Sequence, residues 1–151
     1  MDHRDRGAGW VAAQTALFVA MLGSPFVARG AFSRSIRAVG AALAVASAGW
    51  LVYAYRSLGS SHSPWVEPAA DASLVTTGAY GLVRHPIYAG WIGLAAGWGL
   101  ATGSAPGVVT AALTALLYDR RSRAEERLLA SRSPAYATYR HRVRRLVPRV
   151  Y

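Results

Sequence analysis

The chain has 151 residues, of which 53% are hydrophobic and only 16% charged, with no cysteine and a formal net charge of +10. The absence of cysteine excludes disulfides and thiolate metal sites, and the clustered apolar runs favour a small membrane protein over a soluble domain. All 17 basic residues are arginines that flank apolar runs without a nucleic-acid-binding motif, so no nucleic-acid partner is expected.

Two apolar segments open the chain. Residues 9–28 carry no charge and would span about 30 Å as a helix, which is enough to cross the hydrocarbon core. A cleaved signal peptide is the competing interpretation, but two aspartates in the leader and the length of the apolar run oppose it. Residues 36–55 form the second predicted span, rich in Ala and Gly, with Trp50, Tyr53 and Tyr55 at its interfacial end.

A polar connection between Arg56 and Arg84 separates these spans from a second apolar region. It contains Glu67 and Asp71 and is either a disordered linker or a functional loop. Residues 87–118 follow, with a turn signal at residues 101–107 that divides them into two arms of about 12 to 16 residues. The arms are either short spans or helices that continue past the bilayer surface.

The arginine distribution predicts the orientation of four spans. With both termini in the cytoplasm, the inner segments carry Arg56, Arg84, the two leader arginines and the ten arginines from Arg120 onward, against Arg29, Arg34 and Arg37 outside. The predicted fold is an all-α integral membrane bundle of about four transmembrane segments with a cytosolic helical C-terminal extension. The Ala- and Arg-rich composition favours a bacterial inner-membrane protein.

An Arg-His pair stands directly before Pro86, which opens the second apolar region. Proline suits the first position of a helix, so the backbone N–H groups that follow it face the helix mouth. The helix dipole adds partial positive charge there. We expect an anionic or electron-rich ligand, bound by these donors together with His85, Tyr80 and Tyr88.

The histidines do not form a metal-binding pattern. His3, His62 and His141 are scattered along the chain, so no metal site is predicted. His85 on its own could equally be an interfacial histidine satisfied by a carbonyl. Gly93 and Gly97 have the Gly-x-x-x-Gly spacing of closely packed helices.

The C-terminal tail places Arg121 and Glu125 four residues apart, on one face of a helix. A solvated helix with ion pairs is the plain interpretation. An arginine stripe lying against anionic headgroups is another.

Three groups of residues follow one another in the second part of the chain. They are Leu74-Val75-Thr76-Thr77-Gly78-x-Tyr80-x-x-x-Arg84-His85-Pro86-x-Tyr88-x-Gly90, then Glu125-Glu126-x-x-Leu129, then Tyr136-x-x-Tyr139 with Val143-x-Arg145-x-x-Pro148. This ordered set resembles the isoprenylcysteine carboxyl methyltransferase family and its bacterial and phospholipid methyltransferase relatives. The resemblance makes residues 1–151 one methyltransferase domain, with accessory spans at 9–28 and 36–55 and a cofactor-binding core at 58–148.

The resemblance implies an integral membrane enzyme that transfers a methyl group from S-adenosylmethionine. Arg121 then matches a family arginine that faces the methyl acceptor. The implied cofactor-binding residues are Leu74, Val75, Tyr80, His85, Pro86, Ile87, Tyr88 and Glu125.

The methyl acceptor implied by this resemblance is a lipophilic carboxylate, thiol or amine that reaches the site from the membrane lipids. For an amine, either Glu125 or Glu126 would take the proton. Two other functions stay open at this point, namely an NADPH-dependent membrane reductase of the sterol-reductase type and a non-enzymatic membrane scaffold.

Overall fold

The computed structural model describes residues 3–30, 32–59 and 74–148, and these ranges are helical apart from short connections. The side chains of residues 3–7 and 132 lie outside this description. The helices are α1 (His3–Val27), α2 (Arg34–Leu58), α3 (Pro86–Thr102), α4 (Ala105–Arg132) and α5 (Pro134–Arg142), with a 3₁₀ helix at Gly78–Gly81. Within the described ranges no strand occurs, which confirms the predicted all-α class.

The helices pack as neighbours in chain order, with α2 against α3 and α3 against α4, while α1 closes the bundle against α4. The predicted turn at residues 101–107 is confirmed. Gly103 ends α3 in the left-handed region at φ 68°, and the Ser104 side chain caps α4 by accepting a hydrogen bond from the Gly107 N–H. Most of the polar connection, including Glu67 and Asp71, lies outside the described residues.

Within the part of the chain that the structure describes, two helices are long and apolar enough to cross a membrane, over Ala8–Val27 and Arg34–Leu58. Their outer faces expose large apolar side chains, with Phe26 84% exposed on α1 and Val45 73% exposed on α2. Such faces are unfavourable in water and suit a lipid environment. α3 has 17 residues, whereas α4 is one continuous helix of 28 residues whose apolar first half leads into the arginine-rich second half. The second arm therefore does extend as a continuous helix.

Glycines set the distance between α2 and α3, as the Gly-x-x-x-Gly spacing predicts. A Cβ atom on Gly97 would lie 2.5 Å from the Ala44 backbone nitrogen and 2.8 Å from the Gly40 carbonyl oxygen. A Cβ on Gly93 would collide with the Ser47 hydroxyl. No side chain fits between the two backbones at these positions, so the helices approach as closely as backbone contact allows.

We expect Gly97→Ala to destabilise the bundle, because its methyl group must displace the backbone of α2. Overpacking of this kind costs about 1 to 3 kcal/mol. Gly49→Ala on α2 is the matched control, since nothing lies within 4 Å of a Cβ there. Thermal unfolding in detergent should show a lower Tm for Gly97→Ala only. Equal Tm values for the two variants would contradict the close packing.

Candidate functional site

The Arg-His-Pro segment is held by the C-terminal end of the described chain. Val83 and Arg144 form an isolated parallel bridge. The Arg84 N–H donates to the Arg144 carbonyl at 2.7 Å, and the His85 N–H donates to the Arg145 carbonyl at 3.0 Å. The segment after α5 thus folds back beside the start of α3, which brings the first and last groups of the sequence pattern together.

A buried ion pair joins this segment to α4. Arg84 Nε and Nη2 each lie 2.8 Å from Glu126 Oε1, and both side chains are less than 10% exposed. Arg84 Nη1 also donates to the Arg140 carbonyl at 3.0 Å and to the Val143 carbonyl. One guanidinium therefore connects the start of α3, the C-terminal part of α4 and the end of α5.

Histidine 85 lies between the two adjacent carboxylates of α4. Its Nδ1 is 3.6 Å from Glu125 Oε2, and its Nε2 is 3.3 Å from Glu126 Oε1. Among the described residues, the buried Nε2 has no partner aligned as a hydrogen bond. The side chain is buried, so the interpretation of His85 as an interfacial histidine satisfied by a carbonyl does not describe this geometry.

The second carboxylate, Glu125, belongs to a cluster of polar side chains that lies against stacked aromatic rings. The Tyr88 hydroxyl donates to Glu125 Oε1 at 2.5 Å, and Arg121 Nε lies 3.3 Å from the same oxygen. The Tyr88 ring stacks between His85 and Tyr118, with centroid separations of 5.3 and 4.5 Å. Arg121 is only 4% exposed, so the Arg121–Glu125 pair is not the solvated surface pair of the plain interpretation.

The first helix supplies a residue that the sequence analysis did not select. Arg121 Nη1 donates to Gln14 Oε1 at 2.9 Å, across 107 positions of the chain. Gln14 is the lone amide in the uncharged run of residues 9–28. A polar side chain within an apolar span is a signal of buried function, and it could have identified this residue.

The other predicted site residues lie at the start of α3 or in the segment that precedes it. Pro86 is buried at the first turn, where its carbonyl accepts a hydrogen bond from Trp50 Nε1 at 2.8 Å, and Ile87 follows it, half-buried. The Tyr80 carbonyl accepts a hydrogen bond from the Tyr139 hydroxyl at 2.6 Å. The Leu74 side chain is exposed and that of Val75 half-buried, and their role as cofactor walls stays a prediction.

The charges around Glu126 decide its ionisation. Burial by itself raises the pKa of this carboxyl, but the proximity of His85 and Arg84 outweighs burial and lowers the pKa to about 2. The folded state therefore holds Glu126 ionised across the physiological range. Burial also raises the pKa of the neighbouring Tyr139 to about 12, which keeps that phenol neutral.

We expect acid to destabilise the fold through Glu126. Its folded pKa is below the ordinary value of 4.5, so the stabilisation is present above that pH and is lost as pH falls toward about 2. Denaturant unfolding of the detergent-solubilised protein should show this decline. Glu126→Gln should have a lower free energy of unfolding near neutral pH. Its stability should fall less than that of the wild type between about pH 4.5 and 2. A variant with the wild-type pH dependence would exclude Glu126 as its source.

Sequence comparison relates the chain to known proteins. A cobalt-zinc-cadmium resistance protein, CzcN, of Cupriavidus metallidurans is 39% identical over 90 residues, which cover 57% of this chain and 40% of that protein. The chain thus matches less than half the length of this relative. Residues 36–133, which include nearly all of α2 and the whole of α3 and α4, match the phospholipid methyltransferase family. The chain belongs to the phospholipid methyltransferase family.

Proposed function

We propose that the protein is an integral membrane enzyme that transfers a methyl group from S-adenosylmethionine to a lipophilic carboxylate, thiol or amine at the cytosolic face of the membrane. The buried cluster of His85, Tyr88, Arg121 and Glu125 at the start of α3 is the observation that carries the proposal. Family membership favours methyl transfer over the NADPH-dependent reductase and over a scaffold without activity.

The side chains of this cluster fit the chemical groups of S-adenosylmethionine. The Glu125 carboxylate suits a cationic group by charge. The N–H groups that follow Pro86 suit a carboxylate, as helix N-termini do. His85 Nδ1, 3.6 Å from Glu125 Oε2, adds a polar atom beside this carboxylate.

The cluster has to orient the reactants and exclude water. S-adenosylmethionine supplies a methyl carbon that its sulfonium makes electrophilic, and it is left as a neutral thioether. A carboxylate or thiolate acceptor arrives ionised, so no proton moves and Arg121 orients the acceptor by charge-assisted hydrogen bonds. For an amine acceptor, Glu125 takes the proton released when the new bond forms. Burial of Arg121 and Tyr118 keeps bulk water from this side of the site.

We also propose that α1 to α4 form four membrane-embedded segments. The connections after α1 and after α3 lie at one end of the bundle, where Arg37 Nε donates to the Ala101 carbonyl at 3.0 Å. The cluster lies at the opposite end, and the arginine-rich half of α4 starts there. The arginine asymmetry favours a cytosolic location for the cluster and for both ends of the chain, in a bacterial inner membrane.

Cofactor binding tests the site. His85→Ala should weaken S-adenosylmethionine binding, measured by calorimetry, by about one to two decades, because one hydrogen bond to a charged ligand is lost. His141→Ala on the exposed face of α5 is the matched control and should bind normally. Arg121→Ala should keep near-wild-type cofactor affinity but lower methyl transfer, since its charge serves the acceptor.

Two outcomes would contradict this assignment. Unchanged cofactor affinity in His85→Ala would remove the start of α3 from the binding site. Saturable binding of NADPH, with no binding of S-adenosylmethionine, would favour the reductase.

Orientation can be tested with single cysteines, because the chain has none of its own. Ser35→Cys, on the exposed surface at the start of α2, should react with a membrane-impermeant maleimide in intact cells. Thr138→Cys, exposed on α5, should react only after the membrane is opened. Labelling of Thr138→Cys from outside would reverse the proposed orientation.

A further inference from the structure

A cavity of about 270 Å³ lies between α1, α3 and α4, beside the cluster but not part of it. Its wall is mainly apolar and includes Phe18 of α1, Trp91 and Ala95 of α3 and Leu117 of α4. Phe18 and Trp91 meet edge to face with ring centroids 5.6 Å apart. The cavity is partly open at the surface of the bundle, and an apolar recess of this size can hold the apolar part of a ligand.

The cavity has a polar end that leads to the cluster. Gln14 and Tyr118 both line it. Gln14 accepts the hydrogen bond from Arg121, and Tyr118 stacks on Tyr88. The amide oxygen of Gln14 is directed to the guanidinium, so its N–H groups are the donors that this end can offer. A molecule in the cavity would place its polar end beside the proposed methyl-transfer site.

One wall of this cavity comes from outside the region that matches the family. The match starts at residue 36, whereas Gln14, Phe18 and Met21 belong to α1. The four residues of the proposed catalytic cluster all lie within the matched region. The α1 wall of the cavity lies before that region. A helix in this position can select the acceptor without altering the reaction.

We propose that this cavity binds the apolar body of the methyl acceptor, a lipophile of about ten carbon atoms with a carboxylate end, and that Gln14 and Phe18 determine its selection. An apolar cavity of about 150 Å³ holds benzene, and scaling its six carbons to the present volume gives about ten to eleven. A carboxylate end suits the N–H groups of Gln14 and the Arg121 charge behind them. The proposal rests on the proposed methyl transfer for its biological role.

Quenching of tryptophan fluorescence tests the occupant directly, because Trp91 lines the cavity. The probes are 6-bromohexanoic, 10-bromodecanoic and 16-bromohexadecanoic acids, added to the full-length protein in detergent. Saturable quenching should be tightest for the ten-carbon acid. A lipid tail as the natural occupant would instead give tightest quenching with the sixteen-carbon acid, which would overturn the proposal.

Two variants should shift this preference in opposite directions. Ala95→Leu fills the cavity and should lower the affinity for 10-bromodecanoic acid about tenfold. A single misfitting methylene group already has an effect of this scale. Phe18→Ala enlarges the cavity at a partly exposed position and should improve binding of the sixteen-carbon acid. Ala112→Leu makes the same change as Ala95→Leu at an exposed position of α4 and should have no effect. Identical quenching in all four proteins would exclude the cavity as the site.

The polar end is tested with Gln14→Leu and a probe that lacks the carboxylate, 1-bromodecane. This variant should lose about tenfold in affinity for 10-bromodecanoic acid, as expected for a hydrogen bond to a charged group, and retain affinity for 1-bromodecane. An equal loss of affinity for both probes would show that Gln14 does not bind the carboxylate end of the ligand.

Calorimetry with S-adenosylmethionine on the same samples separates the two proposals. Cofactor binding without saturable quenching would reject the cavity proposal alone. Saturable quenching without cofactor binding would reject the methyl transfer and leave a lipophile-binding site.

Discussion

The buried ion pair between Arg84 and Glu126 is the interaction on which the site depends. A charge taken out of water is costly unless a partner of opposite sign and further hydrogen bonds meet it. Arg84 satisfies Glu126 with two nitrogens at 2.8 Å and gives its remaining donors to carbonyls at the end of α5. Removal of Glu126 would leave the Arg84 guanidinium without its carboxylate at the junction of three helices.

This arrangement lets two neighbouring carboxylates carry out different tasks. Glu126 is committed to Arg84, so its charge is fixed and structural. Glu125, next in the chain, faces Tyr88 and Arg121 and stays 15% exposed at its side chain. His85 lies between the two and completes a polar layer above the stacked tyrosines. The fixed pair thus positions a second set of groups that a ligand can reach.

The membrane environment accounts for the rest of the architecture. Helices in lipid gain little from burying apolar surface, so close backbone contact has to hold them together. Gly97 provides that contact between α2 and α3, and Gly93 leaves room for the Ser47 side chain of α2. α1 packs less closely, against α4, and the space beside it is the cavity next to the cluster.

Local patterns in the sequence determined the helices and the start of the site. The length of the apolar runs predicted α1 and α2. The glycine and serine near position 103 predicted the turn, and Pro86 predicted the start of α3. Each of these signals acts within a few residues, so it can be interpreted without knowledge of the fold. The ordered motifs placed His85, Tyr88, Arg121 and Glu125 in one predicted site, and the structure brings these four side chains close together.

Only the tertiary structure decided which partners these residues have. Spacing could not separate Glu125 from Glu126, because adjacent residues on a helix differ only by the face that the packing buries. The return of residues 143–145 beside Arg84 and the contact of Gln14 with Arg121 join segments 59 and 107 positions apart. Contacts over such distances are set by the packing of whole helices, and the sequence of either partner alone carries no sign of them.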